Sequence, residues 1–139
     1  MDRREVEAFI GLFESLRLPR ERWTHEAHLT AGFWYAWHVP MPAALDEVRR
    51  RIRAHNEAVG TANTDTGGYH ESITRLYMEA IARHVAGHRA QGFDDALRLL
   101  LASPIAARGW PLQHYSPERL FSVAARREWL EPDLSPITA

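Results

Sequence analysis

The chain contains no cysteine and no lysine in 139 residues. Without cysteine it can form no disulfide, present no thiolate nucleophile and build no Cys-type zinc or iron–sulfur site. Without lysine it has no Schiff-base amine, no lysine general base and no phosphate-loop lysine; all 17 basic residues are arginine. An excess of either charge is also missing: the formal net charge is -1, so no sequence-independent grip on nucleic-acid phosphates is expected. Apolar runs stay far below the length of a membrane span, and MDRREVEAF puts charges where a signal peptide needs an apolar core. These absences predict a soluble, cytoplasmic protein with neither nucleic acid nor membrane as partner.

What is present suits a folded globule. Hydrophobic residues make up 45% of the chain and charged ones 25%, and the length fits one domain, residues 1–139. Asp2 and Glu5 have the spacing of a capping box, and Val6, Phe9, Ile10, Phe13 and Leu16 then recur at helical period, giving a helix to about residue 16. Thr24 is the expected cap of a second helix, about 24–37, whose residues from Leu29 onward are almost all apolar; a helix without a solvated face is a buried one. A third helix opens at Pro42 and runs to about Ala58. After the loop VGTANTDTGG, 59–68, a fourth begins near Tyr69 and ends near His88, with Arg75–Glu79 at pairing distance. A short fifth helix starts at Asp94 or Asp95, and Ser116 with Pro117 opens a last one. No window alternates at period two. The expected fold is all-α, a compact bundle of five to six helices around the buried second helix.

The chemistry-bearing residues gather at two helix mouths. WTHEAHLTAGFWYAW, 23–37, places His25 and His28 one turn apart, and NTDTGGYHESITRLY, 63–77, places His70 and Glu71 after a glycine-bearing loop. Imidazoles at i and i+3 lie roughly 60° apart around a helix and can converge on one ion. The positive end of the dipole keeps such rings neutral, the state a metal requires. His25, His28 and His70 are therefore the candidate metal ligands. The ion would be a divalent transition metal, with zinc favoured and iron, nickel or copper also suited to imidazole. Glu71 is the candidate general base or orienter of bound water, while Asn63, Asp65, Tyr69 and Arg75 are the candidate substrate contacts. His-x-x-His alone is a weak motif. The opposing reading makes His25 a donor to a neighbouring carbonyl, His28 a satisfied half-buried ring and His70 a partner of Asp65.

His84, His88, His38 and His55 fall near helix C-termini, where solvent-facing cations are expected; His114 is a distant candidate fourth ligand. Arg126 and Arg127 are candidates for binding a carboxylate, weighed against ordinary solvated charge. Gly67 and Gly68 either bring backbone amides to an anion or merely close a turn. No serine lies in a nucleophile-elbow pattern.

WTHEAHL, GGYHESITR and YSPERLFSVAARREWLEPDL resemble the landmarks of a family of small bacterial all-helical proteins of uncharacterised function, over most of the chain from residue 23 onward. The resemblance implies a shared architecture and no reaction. At the level of fold alone the plan is similar to the DinB-like helical bundles with a three-histidine metal site, from which the ligand spacing here differs. Three functions follow as expectations: a metal-dependent enzyme acting on a small molecule; a metal-free module binding a small anion between the helix mouths; or a helical scaffold forming homodimers through a Trp-rich surface.

Overall fold

A computed structural model describes residues 1–137, and it is all-helical, with no strand among those residues. Seven α-helices follow in order: α1 (Arg3–Glu14), α2 (His25–His38), α3 (Ala43–Ala58), α4 (Glu71–His88), α5 (Phe93–Leu101), α6 (Pro117–Leu120) and α7 (Val123–Arg127). Among the described residues no helix is long and apolar enough to cross a membrane.

The helix starts follow their caps. Asp2 and Glu5 form the expected capping box on α1, and the Thr24 hydroxyl accepts the Ala27 amide at the head of α2. The head of α4 differs from expectation. His70 is the cap: its Nδ1 accepts the amide of Ile73, so the helix starts at Glu71, two residues after Tyr69. The expected last helix is two short ones, because Ser122 stops α6 and caps α7 by accepting the Ala125 amide.

Packing centres on the pair α2–α4. α2 buries Leu29, Thr30, Ala31, Gly32, Phe33, Tyr35 and Ala36, as its unbroken apolar run requires. α4 shares the centre with it, touching α2, α3, α5 and α7. Gly32 lets the two helices approach: a Cβ there would stand 3.1 Å from both the Ile81 Cδ1 and the Met78 Sδ. The main core joins Phe9, Phe13, Phe33, Ile81, Leu97 and their neighbours from α1 to α5. A second core, around Leu76, Ala80, Trp110, Tyr115 and Leu120, fixes the C-terminal segments to the outer side of α4. Tyr115 is fully buried there, its hydroxyl donating to the Leu130 carbonyl at 2.6 Å.

Of the four histidines expected to face solvent at helix ends, His55 is buried, His84 and His88 are half-buried and His38 is exposed. His55 is wholly buried, with its Nε2–H donating to the Leu18 carbonyl at 3.1 Å and its Nδ1 without a partner among the described residues. His84 donates from Nε2 to the Ala96 carbonyl, joining α4 to α5, and its half-buried ring stacks on His88 at 3.9 Å. Burial, with His88 a smaller cause, lowers the pKa of His84. His38 is exposed as expected, with Arg3 beside its Nε2 and the Trp34 carbonyl beside its Nδ1.

Candidate functional site

His28 is fixed by its own helix. Its Nδ1 lies 2.7 Å from the carbonyl of Thr24, one turn back. A carbonyl only accepts, so the proton sits on Nδ1, and Nε2 keeps its lone pair free of any partner among the described residues. The ring lies against the Trp23 indole, centroids 3.8 Å apart. Protein crowds around most of it although its accessible surface is that of an exposed residue; both hold because the open face looks into a cleft. That crowding, with His25 and His55 as smaller causes, lowers the His28 pKa to about 4, and at pH 7 the ring is neutral.

The cleft has two chambers between α2, α3 and α4. The inner chamber, about 390 Å³, is walled by Leu29, Val48, Met78 and Ile81 and edged by His25, Tyr77 and Arg108. The outer chamber, about 730 Å³, carries Arg20, Arg126, Asn56, Thr61 and His70, with Phe121 at its rim. Trp23, His28, Ile52, Ile73 and Thr74 line both, so the chambers adjoin across one shared wall. His25 contributes an edge only: its Nε2–H donates to the Ala106 carbonyl at 2.9 Å. The Tyr77 hydroxyl has no partner among the described residues, and burial pushes its pKa up to about 12.

Charge is distributed one-sidedly. Three arginines line the cleft and no aspartate or glutamate does. Arg20 donates to the Val59 carbonyl and the Thr61 hydroxyl, and Arg126 to the carbonyls of Gly68 and Tyr69. Both are held by neutral acceptors, and neither forms an ion pair among the described residues. Arg108 is exposed at the edge of the inner chamber and likewise forms no ion pair there.

The expected three-imidazole centre is not assembled in this geometry. His70 spends both ring nitrogens on the backbone, Nδ1 on the Ile73 amide at 3.1 Å and Nε2–H on the Leu120 carbonyl at 2.7 Å. It has no lone pair left for an ion. Among the described residues no three His, Cys, Asp or Glu side chains come together in an arrangement that would hold a metal. His114 stands apart, in a cavity with His84 and His88, its Nδ1–H donating to the Ser135 carbonyl.

The expected general base is an ion-pair partner. Glu71 takes a two-pronged hydrogen bond from Arg49, at 2.8 and 2.6 Å, and another from the Tyr69 hydroxyl at 2.6 Å. Burial alone would raise its pKa, but these donors outweigh it and the pKa is lowered. The expected substrate contacts are engaged elsewhere too. Asn63 accepts from Asn56 and from the Tyr69 amide, closing the loop before α4. Asp65 pairs with Arg127 instead of His70. Arg75 pairs with Glu79 and lies over the Trp129 ring at 4.4 Å. None of the four lines the cleft.

Gly68 is required by the turn of its loop and also lines the outer chamber. Its φ is +76°, and a Cβ there would collide with the Ala62 carbonyl oxygen. Of the residues that do line the cleft, Arg20, Arg108 and Tyr77 had no motif to mark them.

Comparison of the chain with protein-family models, with curated proteins and with solved structures finds no match.

Proposed function

We propose that the cleft between α2, α3 and α4 is a metal-free binding site for a small organic anion. The observation that carries this reading is the charge of the lining: Arg20, Arg108 and Arg126 with no acidic side chain, in a chain that holds 18 acidic residues. A concave site lined by one sign of charge and backed by low-dielectric walls concentrates counter-ions. An apolar chamber with a few placed polar groups is also the ordinary form of a small-molecule site. The positive end of α4, an 18-residue helix capped by His70 at the cleft wall, adds to the field.

Binding accounts for the titratable groups better than proton transfer does. A general acid or base works best with a pKa near the operating pH. The His28 imidazole is lowered to about 4 and the Tyr77 phenol raised to about 12. At neutral pH His28 Nε2 is therefore an acceptor and Tyr77 a donor, each offering a ligand a fixed hydrogen bond. A metal-dependent reaction would ask for a third imidazole nitrogen that His70 has already committed to the backbone.

Trp23 lines both chambers, so its fluorescence is the natural reporter. Titration with inorganic phosphate, methyl phosphate and propionate is expected to give a saturable change for at least one. That change should weaken about tenfold or more in Arg126→Gln, the loss of a charge-assisted hydrogen bond. A flat response to all three at millimolar concentration, with the protein folded, would overturn the reading.

A further inference from the structure

The division of the cleft into a cationic and an apolar chamber says more about the ligand than its charge. Resting on the anion-binding reading above, we propose that the ligand is a soluble phosphate monoester of an apolar alcohol. Its phosphoryl group would lie between Arg20 and Arg126, and its hydrocarbon would pass His28 into the inner chamber.

The headgroup follows from charge matching. Arg20 and Arg126 line the same chamber, and both use terminal guanidinium nitrogens on neutral oxygens. Two cations without an ion-pair partner are balanced by a phosphate monoester, whose second ionisation near pH 6 gives it close to two negative charges at neutral pH. A monocarboxylate would leave one guanidinium without a counter-charge. The planar guanidinium fork also matches phosphoryl oxygens in pairs. Arg108, alone at the exposed edge of the inner chamber, has no second cation beside it.

The hydrocarbon follows from the inner chamber. Leu29, Val48, Met78 and Ile81 offer it no charge, and the shared wall of Trp23, Ile52 and Ile73 continues the apolar surface into the outer chamber. A dry cavity of about 150 Å³ accepts a benzene molecule. The inner chamber, at about 390 Å³, thus has room for roughly a dozen carbon atoms by the same measure. His28 lines both chambers, and its Nε2, not engaged by the Thr24 carbonyl, can accept a hydrogen bond from a hydroxyl on the ligand's body.

The test is calorimetric titration of the full chain with methyl phosphate, hexyl phosphate, hexanoate and hexanol, all as monomers. Each buried methylene is expected to strengthen binding by up to about fourfold. Hexyl phosphate should therefore bind at least tenfold tighter than methyl phosphate, and tighter than hexanoate or hexanol. Val48→Phe, a change confined to the wall of the inner chamber, should reduce hexyl phosphate affinity towards that of methyl phosphate. Arg126→Gln should weaken both phosphates by a similar factor. Circular dichroism establishes that each variant is folded.

Equal affinities for methyl and hexyl phosphate would overturn the amphipathic ligand while leaving the anion site standing. Hexanoate binding as tightly as hexyl phosphate would overturn the phosphoryl assignment. Failure of every anion would overturn both readings. Phosphatidylcholine vesicles carrying phosphatidic acid offer the same chemistry from a membrane. Co-sedimentation with them, in a protein that ignores hexyl phosphate, would overturn the soluble-ester assignment.

Discussion

The Nε2–H of His70 donates to the carbonyl of Leu120 at 2.7 Å, across fifty residues of chain. The same ring caps α4 through Nδ1. One imidazole thus ends a helix and ties the C-terminal segment to it, and both duties require the neutral ring protonated on Nε2.

His70→Ala removes the cap and leaves a buried carbonyl without its donor. A lost cap costs about 1 kcal/mol and an unmet buried polar group about 1–3 kcal/mol. The expected outcome is a melting temperature lower by about 5–15 °C for a chain of this size, with no change in metal content by elemental analysis. A variant that melted like the parent but lost a stoichiometric ion would restore His70 as a ligand.

Acid should loosen the fold in a definite window. His28, His70 and His84 all have pKa values lowered in the folded state, chiefly by burial. A histidine depressed by folding takes up its proton more readily when unfolded, so the unfolded state gains as pH drops below the ordinary value near 6.5. For His28 the loss accumulates from about 6.5 down to about 4, where the folded ring also protonates. Melting temperature should fall steadily across that interval, and His28→Gln should flatten part of the slope. An unchanged slope in that variant would show that His28 is not depressed.

Much of the scaffold is legible in the sequence, because caps and apolar period act locally. Asp2 with Glu5 and Thr24 cap where their spacing says they should, and the apolar run after Leu29 is buried as such a run must be. The cleft is less legible because its charge is assembled from afar. Arg20 precedes α2, Arg126 belongs to α7, and Arg108 comes from the loop before Trp110; only folding brings them to one concavity. The histidines misled for a related reason. His28 is held neutral by burial, with His25 and His55 adding to it, and whether a ring nitrogen is free depends on distant carbonyls. Ala106 engages His25 and Leu120 engages His70, and neither partner has a sequence signature.

Glu71 separates a structural role from a catalytic one. It is held by Arg49 and Tyr69, with its side chain 13% exposed. Arg49→Met would strand that carboxylate and should cost about 2–3 kcal/mol, in the range for an unmet buried polar or charged group. Glu71→Gln keeps an acceptor for the Tyr69 hydroxyl and should cost less. Denaturant unfolding of the two variants gives the comparison. Methyl phosphate affinity should stay within twofold in Glu71→Gln, since Glu71 does not line the cleft; a larger loss would bring the carboxylate back into the site.

Gly68→Ala tests whether the loop before α4 shapes the cleft. Gly68 has φ +76°, lines the outer chamber, and its carbonyl accepts from Arg126. A side chain there must leave the left-handed region or push against the Ala62 carbonyl. Such strain costs of order 1–3 kcal/mol, more than the gain of roughly 0.4–1 kcal/mol from a stiffer unfolded chain. The variant should be less stable by about 1–2 kcal/mol. It should also bind methyl phosphate more weakly, because the displaced carbonyl no longer holds the Arg126 guanidinium over the chamber. Arg126→Gln in the Gly68→Ala background should then add less than it does alone, since residues sharing one contact are not additive. Additive losses would mean that Gly68 and Arg126 reach the ligand independently.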